Sequence, residues 1–204
     1  MDKIELLASL KKHGFPKKVL DSFEKVKREN FVPERLVHMA YEDIALPIGS
    51  PGNQSTISQP YTIAEMLSLL DLKKGNKVLE IGSGSGYVLA LINEITQEKT
   101  YGIEIIKELA EKSTKTLKNN NQITVFNKNG SEGLDEFAPY DRIIISATLN
   151  QIPQAVTNQL KETGILVAPI NKNYNHTLTS FRKINGNLTL QKELPGFAFV
   201  LFVE

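Results

Sequence analysis

The first third of the chain carries apolar residues at the spacing of α-helices. Ile4, Leu7 and Leu10 recur every three residues ahead of Gly14, which is a typical helix stop. Four helices are predicted on such patterns, over 2–14, 16–30, 33–41 and 60–72. Glycines, prolines and hydroxyl residues fill 42–59, and they predict an ordered loop before the fourth helix.

After residue 76 the pattern becomes an alternation of short apolar strands with amphipathic helices. Strands are predicted over 77–82, 100–105, 122–127, 140–147 and 164–170. Helices are predicted over 87–96, 106–120 and 152–162, with a short turn or helix over 131–137. Such alternation is typical of parallel strands joined by helical crossovers.

The C-terminal tail has the pattern of antiparallel strands, predicted over 176–184, 187–194 and 196–203. The first two flank Asn185-Gly186, a dipeptide typical of two-residue hairpin turns. We therefore predict an α/β fold with a doubly wound, mostly parallel sheet, an antiparallel C-terminal hairpin and an N-terminal helical extension. A single domain is expected, in which the helices and loop of 1–59 pack on a core formed by 60–204.

Composition excludes several classes of function. Lys and Arg number 24 against 23 Asp and Glu, and a net charge of +1 is too small for a nucleic-acid-binding surface. The absence of cysteine excludes thiolate catalysis and cysteine-ligated zinc, and the three histidines are too scattered for a metal site. No apolar run is as long as a membrane span, and the N-terminus does not resemble a signal peptide. We expect a cytoplasmic monomer without nucleic-acid or membrane partners.

The turn after the first predicted strand carries Gly82, Gly84 and Gly86, in the order G-x-G-x-G. A dinucleotide-binding turn needs its third glycine where Tyr87 stands. Glu80 interrupts the apolar strand just before the turn, and a carboxylate buried there requires a partner. It would repel a pyrophosphate and attract a ligand with an ammonium and a sulfonium, such as S-adenosylmethionine. The glycines alone are equally consistent with a simple tight turn.

Polar residues also follow the next two predicted strands. Glu104 ends the second one, where an acidic side chain can accept the hydroxyls of a ribose. Asn129 and Gly130 follow the third strand, where an amide and a free backbone N–H could read the edge of an adenine. The alternatives are a surface charge for Glu104 and an ordinary Asn-Gly turn. Together, the three positions predict a crevice shaped for a nucleoside.

The chain resembles the protein-L-isoaspartate O-methyltransferases, which are class I S-adenosylmethionine-dependent enzymes with a Rossmann-like fold. The resemblance rests on Arg28 with the Phe31-Val32-Pro33 that follows it, and on the segments AYEDIALPIG, TISQPY, VLEIGSGSGY, PYDRIIISA, IPQAV and GILVAPI, which cover nearly the whole chain in the order of the family. It implies that the cofactor lies over the glycine turn and that Glu104 holds its ribose. It also implies that Ser58 lies at the site of methyl transfer.

The resemblance implies a protein-repair reaction on the carboxylate of an isoaspartyl residue in a damaged protein or peptide. Such a carboxylate is already ionised at neutral pH, so the reaction needs alignment rather than a general base. Ser58 would donate a hydrogen bond that orients the carboxylate, while Thr56 and Ile57 wall the cofactor. The alternative for Ser58 is a capping role, because Pro60 suits the first position of a helix and Thr62 and Glu65 have capping-box spacing.

Three departures from the family pattern leave the substrate open. The loop at 50–55 is longer than usual, Asn129 stands where an acid is usual, and the closing segment 199–202 reads Phe-Val-Leu-Phe. Asn129 lacks the charge of an acid, so we expect it to bind the cofactor more weakly. One alternative is therefore a divergent relative that methylates another carboxylate or a small molecule. A second is a non-catalytic module that only binds the cofactor, and Glu80 and Tyr87 disfavour a nicotinamide enzyme.

Overall fold

The N-terminal region consists of two α-helices followed by two short 3-10 turns. The computed structural model describes residues 1–50, 54–172 and 175–203. Helix α1 spans Lys3–Lys12 and α2 spans Lys17–Lys25, and Asp2 caps α1 in a capping box with Glu5. The 3-10 turns span Arg28–Phe31 and Glu34–Met39.

The second N-terminal helix is therefore shorter than predicted, and the third is a 3-10 helix instead of an α-helix. The backbone becomes extended at Val26, which ends the second helix before residue 30. The predicted loop that follows contains a two-stranded ribbon, in which β1 (Leu46–Pro47) pairs with β2 (Thr56–Ile57). The predicted extension at 50–55 includes 51–53, which lie outside the described residues.

The centre of the protein is a seven-stranded sheet. Its strands are β3 (Val78–Ile81), β4 (Thr100–Glu104), β5 (Ile123–Asn127), β6 (Tyr140–Ile145), β7 (Leu160–Lys172), β8 (Asn175–Ile184) and β9 (Asn187–Phe197). The order is β5-β4-β3-β6-β7-β8-β9, with parallel pairing from β5 to β7 and antiparallel pairing from β7 to β9. The predicted fold class is confirmed. Strand order reverses at β3, so a crevice is expected at its carboxyl end, beside β6.

Helix α3 (Pro60–Leu69) precedes these strands, and α4 (Tyr87–Thr96), α5 (Lys107–Leu117) and α6 (Gln154–Gln159) lie between them. Helix α6 is shorter than predicted, because Leu160 already pairs with Tyr140 as the first residue of β7. In the described part of the chain no helix is long and apolar enough to cross a membrane.

Each face of the sheet buries its own apolar core. Alternate residues of a strand point to opposite faces, so Val78 joins one core while Leu79 and Ile81 join the other. The first core also holds Leu6 of α1, Phe23 of α2 and side chains of α3, α4 and α5. The N-terminal helices thus share one continuous core with the sheet.

The prediction of a separate last strand over 196–203 is wrong. Only its first two residues belong to β9, which runs without interruption to Phe197. The chain then turns back across the carboxyl edge of the sheet, where the Thr148 N–H donates to the Val200 carbonyl (2.8 Å) and the Phe202 N–H donates to the Thr148 carbonyl (2.8 Å). Thr148 and Leu201 thus form an isolated parallel bridge and not a strand. The residues of this segment line the cavities, and Phe199 and Phe202 also pack against the two cores. The hairpin turn at Asn185-Gly186 is confirmed, with positive φ at both residues.

Candidate active site

Two cavities meet at the carboxyl edge of the parallel strands. The smaller, of about 300 Å³, lies over the ends of β3, β4 and β6. The larger, of about 830 Å³, opens between α3 and the C-terminal segment after β9. Six residues line both: Gln54, Thr56, Ser58, Ser146, Val200 and Leu201. These volumes lie in the range of small-molecule sites, and the shared wall gives two ligands a common boundary.

The glycine turn forms the floor of the smaller cavity. Gly82 and Gly84 line it, both with positive φ, and the N–H of Gly82 donates to the Ile103 carbonyl (2.8 Å). Gly86 also has positive φ, but it lies outside the lining, at the N-cap of α4. A Cβ at Gly86 would lie 2.7 Å from Leu117, so this glycine permits close packing of α4 on α5.

Glu80 lies in the smaller cavity and is only 1% exposed. The Ser146 hydroxyl donates to its Oε1 (2.8 Å), while Oε2 has no hydrogen-bond partner among the described residues. Burial raises the pKa of Glu80 to about 8, and the Ser146 hydrogen bond opposes this shift. The free oxygen is the acceptor that the ammonium of a bound S-adenosylmethionine requires, so the cavity fits this cofactor.

Glu104 is buried at the end of β4, which excludes a surface charge. Its carboxylate accepts hydrogen bonds from the N–H of Gly84 (2.8 Å) and of Ile106 (2.9 Å). Burial raises the pKa of Glu104, and these backbone donors lower it. Glu104 therefore lines the smaller cavity and fixes the glycine turn at the same time.

Asn129 and Gly130 lie outside the cavity lining. The amide oxygen of Asn129 accepts from the Ser131 N–H (2.9 Å), as the cap of a 3-10 turn over Gly130–Glu132. The oxygen expected to face an adenine is thus engaged in its own turn. Gly130 packs closely on Ile81 and on the Phe202 ring, and Phe202 does line the cavity.

Ser58 precedes α3 without capping it. The N-cap of α3 is Gln59, which makes no side-chain cap. The free N–H of Tyr61 donates instead to Asp43 (2.8 Å), which also accepts from the Gln59 amide (3.1 Å). The proposed capping pair of Thr62 and Glu65 is also absent from this helix start. Ser58 is half-buried on the boundary of the two cavities, while Thr56 lines both and Ile57 lines the smaller one.

Arg28 holds the backbone of Ser58, a role that the sequence did not reveal. Its guanidinium is fully buried and donates to the carbonyls of Ser58 (3.0 Å), Ala40 (2.6 Å) and Ile44 (3.2 Å). It also lies 6.0 Å from the centre of the Tyr87 ring. Arg28 belongs to a motif of the family, but its partners are backbone carbonyls, which every residue carries and which a sequence pattern therefore cannot identify.

The C-terminal segment is the second contribution that the sequence did not reveal. Val200–Val203 line the smaller cavity, and 194–201 line the larger one. The Phe199 N–H donates to Nδ1 of His176 on β8 (3.0 Å), which anchors the segment where it leaves the sheet. No group of three or more His, Asp or Glu within the described ranges could hold a metal ion.

The fold and the cavity define a class I S-adenosylmethionine-dependent methyltransferase. The model of the protein-L-isoaspartate(D-aspartate) O-methyltransferase family matches residues 1–204. A protein-L-isoaspartate O-methyltransferase of Dictyoglomus turgidum is 44% identical over 96% of this chain and 88% of its own length. A protein-L-isoaspartate O-methyltransferase of Ignicoccus hospitalis is 41% identical over 99% of this chain and 97% of its own length.

A solved structure of a similar methyltransferase has the same fold. It is a beta-aspartate methyltransferase of Plasmodium falciparum in complex with S-adenosyl-L-homocysteine, with a TM-score of 0.84 and 25% identity over 98% of this chain and 97% of its own. The chain belongs to the protein-L-isoaspartate(D-aspartate) O-methyltransferase family. It is an S-adenosylmethionine-dependent enzyme that methylates isoaspartyl residues of proteins.

Proposed function

We propose that the two cavities divide the reaction between them. The smaller holds S-adenosylmethionine, the larger holds the isoaspartyl peptide, and Ser58 orients the substrate carboxylate at their boundary. The observation that carries this proposal is the shared wall, since Thr56 and Ser58 line both cavities. Methyl transfer requires the two ligands to meet at one boundary, and these are the described side chains of TISQPY that lie on it.

In this proposal Glu80 and Glu104 bind the polar groups of the cofactor. The free Oε2 of Glu80 accepts from the amino-acid ammonium, and Glu104 accepts from the ribose hydroxyls. Gly82 and Gly84 allow close approach, and Thr56 and Ile57 form the opposite wall. Gly86 and Gly130 act through packing of α4 and Phe202, whereas the contact between Asn129 and the adenine stays a prediction.

The bound cofactor supplies an electrophilic methyl group on a sulfonium. The residues of this chain have the task of alignment, because an ionised carboxylate is already nucleophilic. The Ser58 hydroxyl has one proton to donate, which fixes one carboxylate oxygen and leaves the other free. Val200 and Leu201 supply apolar surface at the boundary and reduce the access of water.

The proposal also covers the domain organisation, oligomeric state, location and partners of the enzyme. We infer a single 1–204 domain that acts as a monomer in the cytoplasm on damaged proteins, without nucleic-acid or membrane partners. The continuous core between the N-terminal helices and the sheet supports the single domain, and the net charge of +1 supports the absence of a nucleic-acid partner. Size-exclusion chromatography with light scattering measures the oligomeric state, and a dimer would contradict the inference.

The decisive experiment is a methylation assay with labelled S-adenosylmethionine. An isoaspartyl peptide and its normal aspartyl twin are the two acceptors. We expect a base-labile methyl ester on the isoaspartyl peptide alone. Calorimetry with the cofactor accompanies the assay, because cofactor binding without turnover on any isoaspartyl peptide would select a binding module instead.

A further inference from the structure

The walls of the larger cavity are nearly uncharged. One side is formed by 194–201, a mainly apolar run with a proline and a glycine. Hydroxyl and amide side chains supply most of the rest. Among the described residues that line this cavity, Glu65 is the only one with a carboxylate or a cationic amine or guanidinium. A carboxylate in a cleft with low-dielectric walls gives the cleft a negative potential, which favours cationic ligands.

Glu65 lies on the second turn of α3, with its side chain half-buried. The Tyr61 hydroxyl donates to its Oε1 (2.9 Å), which holds the carboxylate against the cavity wall. Among the described residues no hydrogen-bond donor engages Oε2, and no lysine or arginine lies within ion-pair distance of Glu65. Its charge is thus available to a ligand.

A second carboxylate lies behind the same wall. Asp43 accepts from the N–H of Tyr61 and from the Gln59 amide. The hydrogen bond to Glu65 raises the pKa of Tyr61, and the charge of Asp43 adds to this effect. The charge of Asp43 is shared with the buried guanidinium of Arg28, with which it interacts. Glu65 is therefore the carboxylate that remains for a ligand in this cavity, and a cation is the complementary group.

The position of Glu65 fixes how far this cation lies from the reacting carboxylate. Glu65 is six positions after Gln59, the neighbour of Ser58, which amounts to about 9 Å along a helix axis. An extended peptide covers that distance in about three residues. A lysine side chain adds several ångströms of reach, so residues about two to four positions from the isoaspartate are within range.

We propose that Glu65 is a specificity residue that selects isoaspartyl peptides with a lysine or arginine about two to four positions from the isoaspartate. The inference rests on the proposed function of the larger cavity. It adds a substrate preference that the carboxylate chemistry at Ser58 does not imply. Half-exposed ion pairs of this kind change affinity up to about fivefold, and salt screens them.

The test is a set of isoaspartyl peptides that differ at one flanking position. Lysine, glutamine or glutamate is placed at each of four positions on either side, and kcat/KM is measured at low and at high salt. We expect lysine to exceed glutamate by about twofold to twenty-five-fold at the favoured position, since attraction and repulsion multiply. The ratio should fall as salt rises.

Two variants assign the preference to this side chain. In Glu65→Gln the ratio between the lysine and glutamate peptides should approach one, and in Glu65→Lys it should invert. Glu24→Gln is the matched control, because Glu24 is an exposed carboxylate on α2 that lines neither cavity. It should keep the wild-type ratio.

The outcomes separate this inference from the proposed function. Methylation of the glutamine peptide with a lysine-to-glutamate ratio within twofold would overturn the role of Glu65 and leave the proposed function intact. A wild-type ratio that persists in Glu65→Gln would do the same. Failure of every isoaspartyl peptide to accept a methyl group would overturn both.

Discussion

At the scale of single residues, Asp43 takes the capping role that the sequence left open for Ser58. Because Asp43 accepts the free N–H at the start of α3, the Ser58 hydroxyl is not needed there. A serine before Pro60 would serve as a cap in many helices. The structure therefore leaves its hydroxyl at the boundary of the two cavities, where an orienting role is open to it.

Replacing Ser58 with alanine tests this role. We expect Ser58→Ala to lower kcat on an isoaspartyl peptide by roughly 10- to 100-fold, because misorientation of the reacting group carries a cost of that order. Affinity for the cofactor, measured by calorimetry, should change little. The control is Ser68→Ala, since Ser68 lies at the far end of α3 and donates to the Ala64 carbonyl. Wild-type kcat at saturating peptide would contradict the role of Ser58.

Buried Glu80 should make the stability of the cofactor-free protein depend on pH. Its pKa in the folded protein, about 8, exceeds the ordinary value of 4.5, so the unfolded chain ionises first as pH rises. The free energy of unfolding should therefore fall between these pH values, by up to about 1.4 kcal/mol per pH unit, and level off above. Glu80→Gln should remove this contribution and be more stable than the wild type at pH 8.

The same substitution should weaken binding of S-adenosylmethionine, because the ammonium loses its anionic partner. Wild-type affinity should rise with pH towards 8, with release of a proton on binding that calorimetry detects in buffers of different ionisation enthalpy. Ser146→Ala removes the hydrogen bond that lowers the pKa of Glu80 and should move this pH dependence upward. Equal affinity of wild type and Glu80→Gln across the range would refute the contact.

At the scale of elements, Arg28 joins three segments that are remote in sequence. It lies on the first 3-10 turn and donates to carbonyls of the second turn's end, of the loop before β1, and of Ser58 before α3. A planar guanidinium with several donors can serve all three, whereas a lysine cannot. The TISQPY segment is therefore positioned from the N-terminal region.

Arg28→Met should destabilise the protein by about 3–5 kcal/mol, since it keeps apolar volume but leaves the buried carbonyl of Ala40 and the part-buried carbonyls of Ile44 and Ser58 without their donor. Urea unfolding measures the loss. Arg28→Lys should recover stability in part but not kcat, because one ammonium cannot restore the geometry of Ser58. Full activity of Arg28→Lys would indicate that the arginine is needed only for folding.

His176 sets the course of the C-terminal segment. Its Nδ1 accepts from the Phe199 N–H where the chain leaves β9, and the residues beyond it wall both cavities. We expect His176→Ala to raise KM for the peptide several-fold, with a smaller effect on kcat, because the wall becomes less ordered. His176→Asn keeps an acceptor near the same place and should restore KM in large part. Equal KM for alanine and asparagine variants would argue against the anchor.

At the scale of the whole molecule, the smaller cavity draws its walls from five separate segments. They are 54–58, 80–88, 103–106, 146–147 and 200–203. A ligand that contacts all five stabilises the folded state as a unit. The global stability of the protein is therefore a direct measure of cofactor binding.

S-adenosyl-L-homocysteine at one hundred times its Kd should stabilise the protein by about 2.7 kcal/mol. For a domain of this size that corresponds to a rise in Tm of roughly 5–10 °C. Differential scanning calorimetry measures the shift, with NAD as the matched control, because Glu80 and Tyr87 disfavour its pyrophosphate. An equal shift with NAD would contradict the assignment of the cavity.

Local pattern by itself determined the sequence of the central strands and helices along the chain, the hairpin at Asn185-Gly186 and the glycine turn. Such features depend on spacing of 2 or 3.6 residues and on the φ angles open to glycine, which neighbouring residues set. The place of Glu80 inside an apolar strand follows from the pattern in the same way, whereas the burial of Glu104 was decided by the tertiary structure.

Only the tertiary structure decided what those elements do together. Three contacts cannot be predicted from a short sequence pattern. Asp43 caps α3, Arg28 donates to the Ser58 carbonyl, and the Asn129 oxygen accepts within its own turn. The segment after Phe197 is the clearest case, since its alternation predicts a strand and its course over the cavities is set by Thr148 and His176. Periodicity reports which side chains are apolar along the chain, whereas long-range packing chooses the surface that they cover.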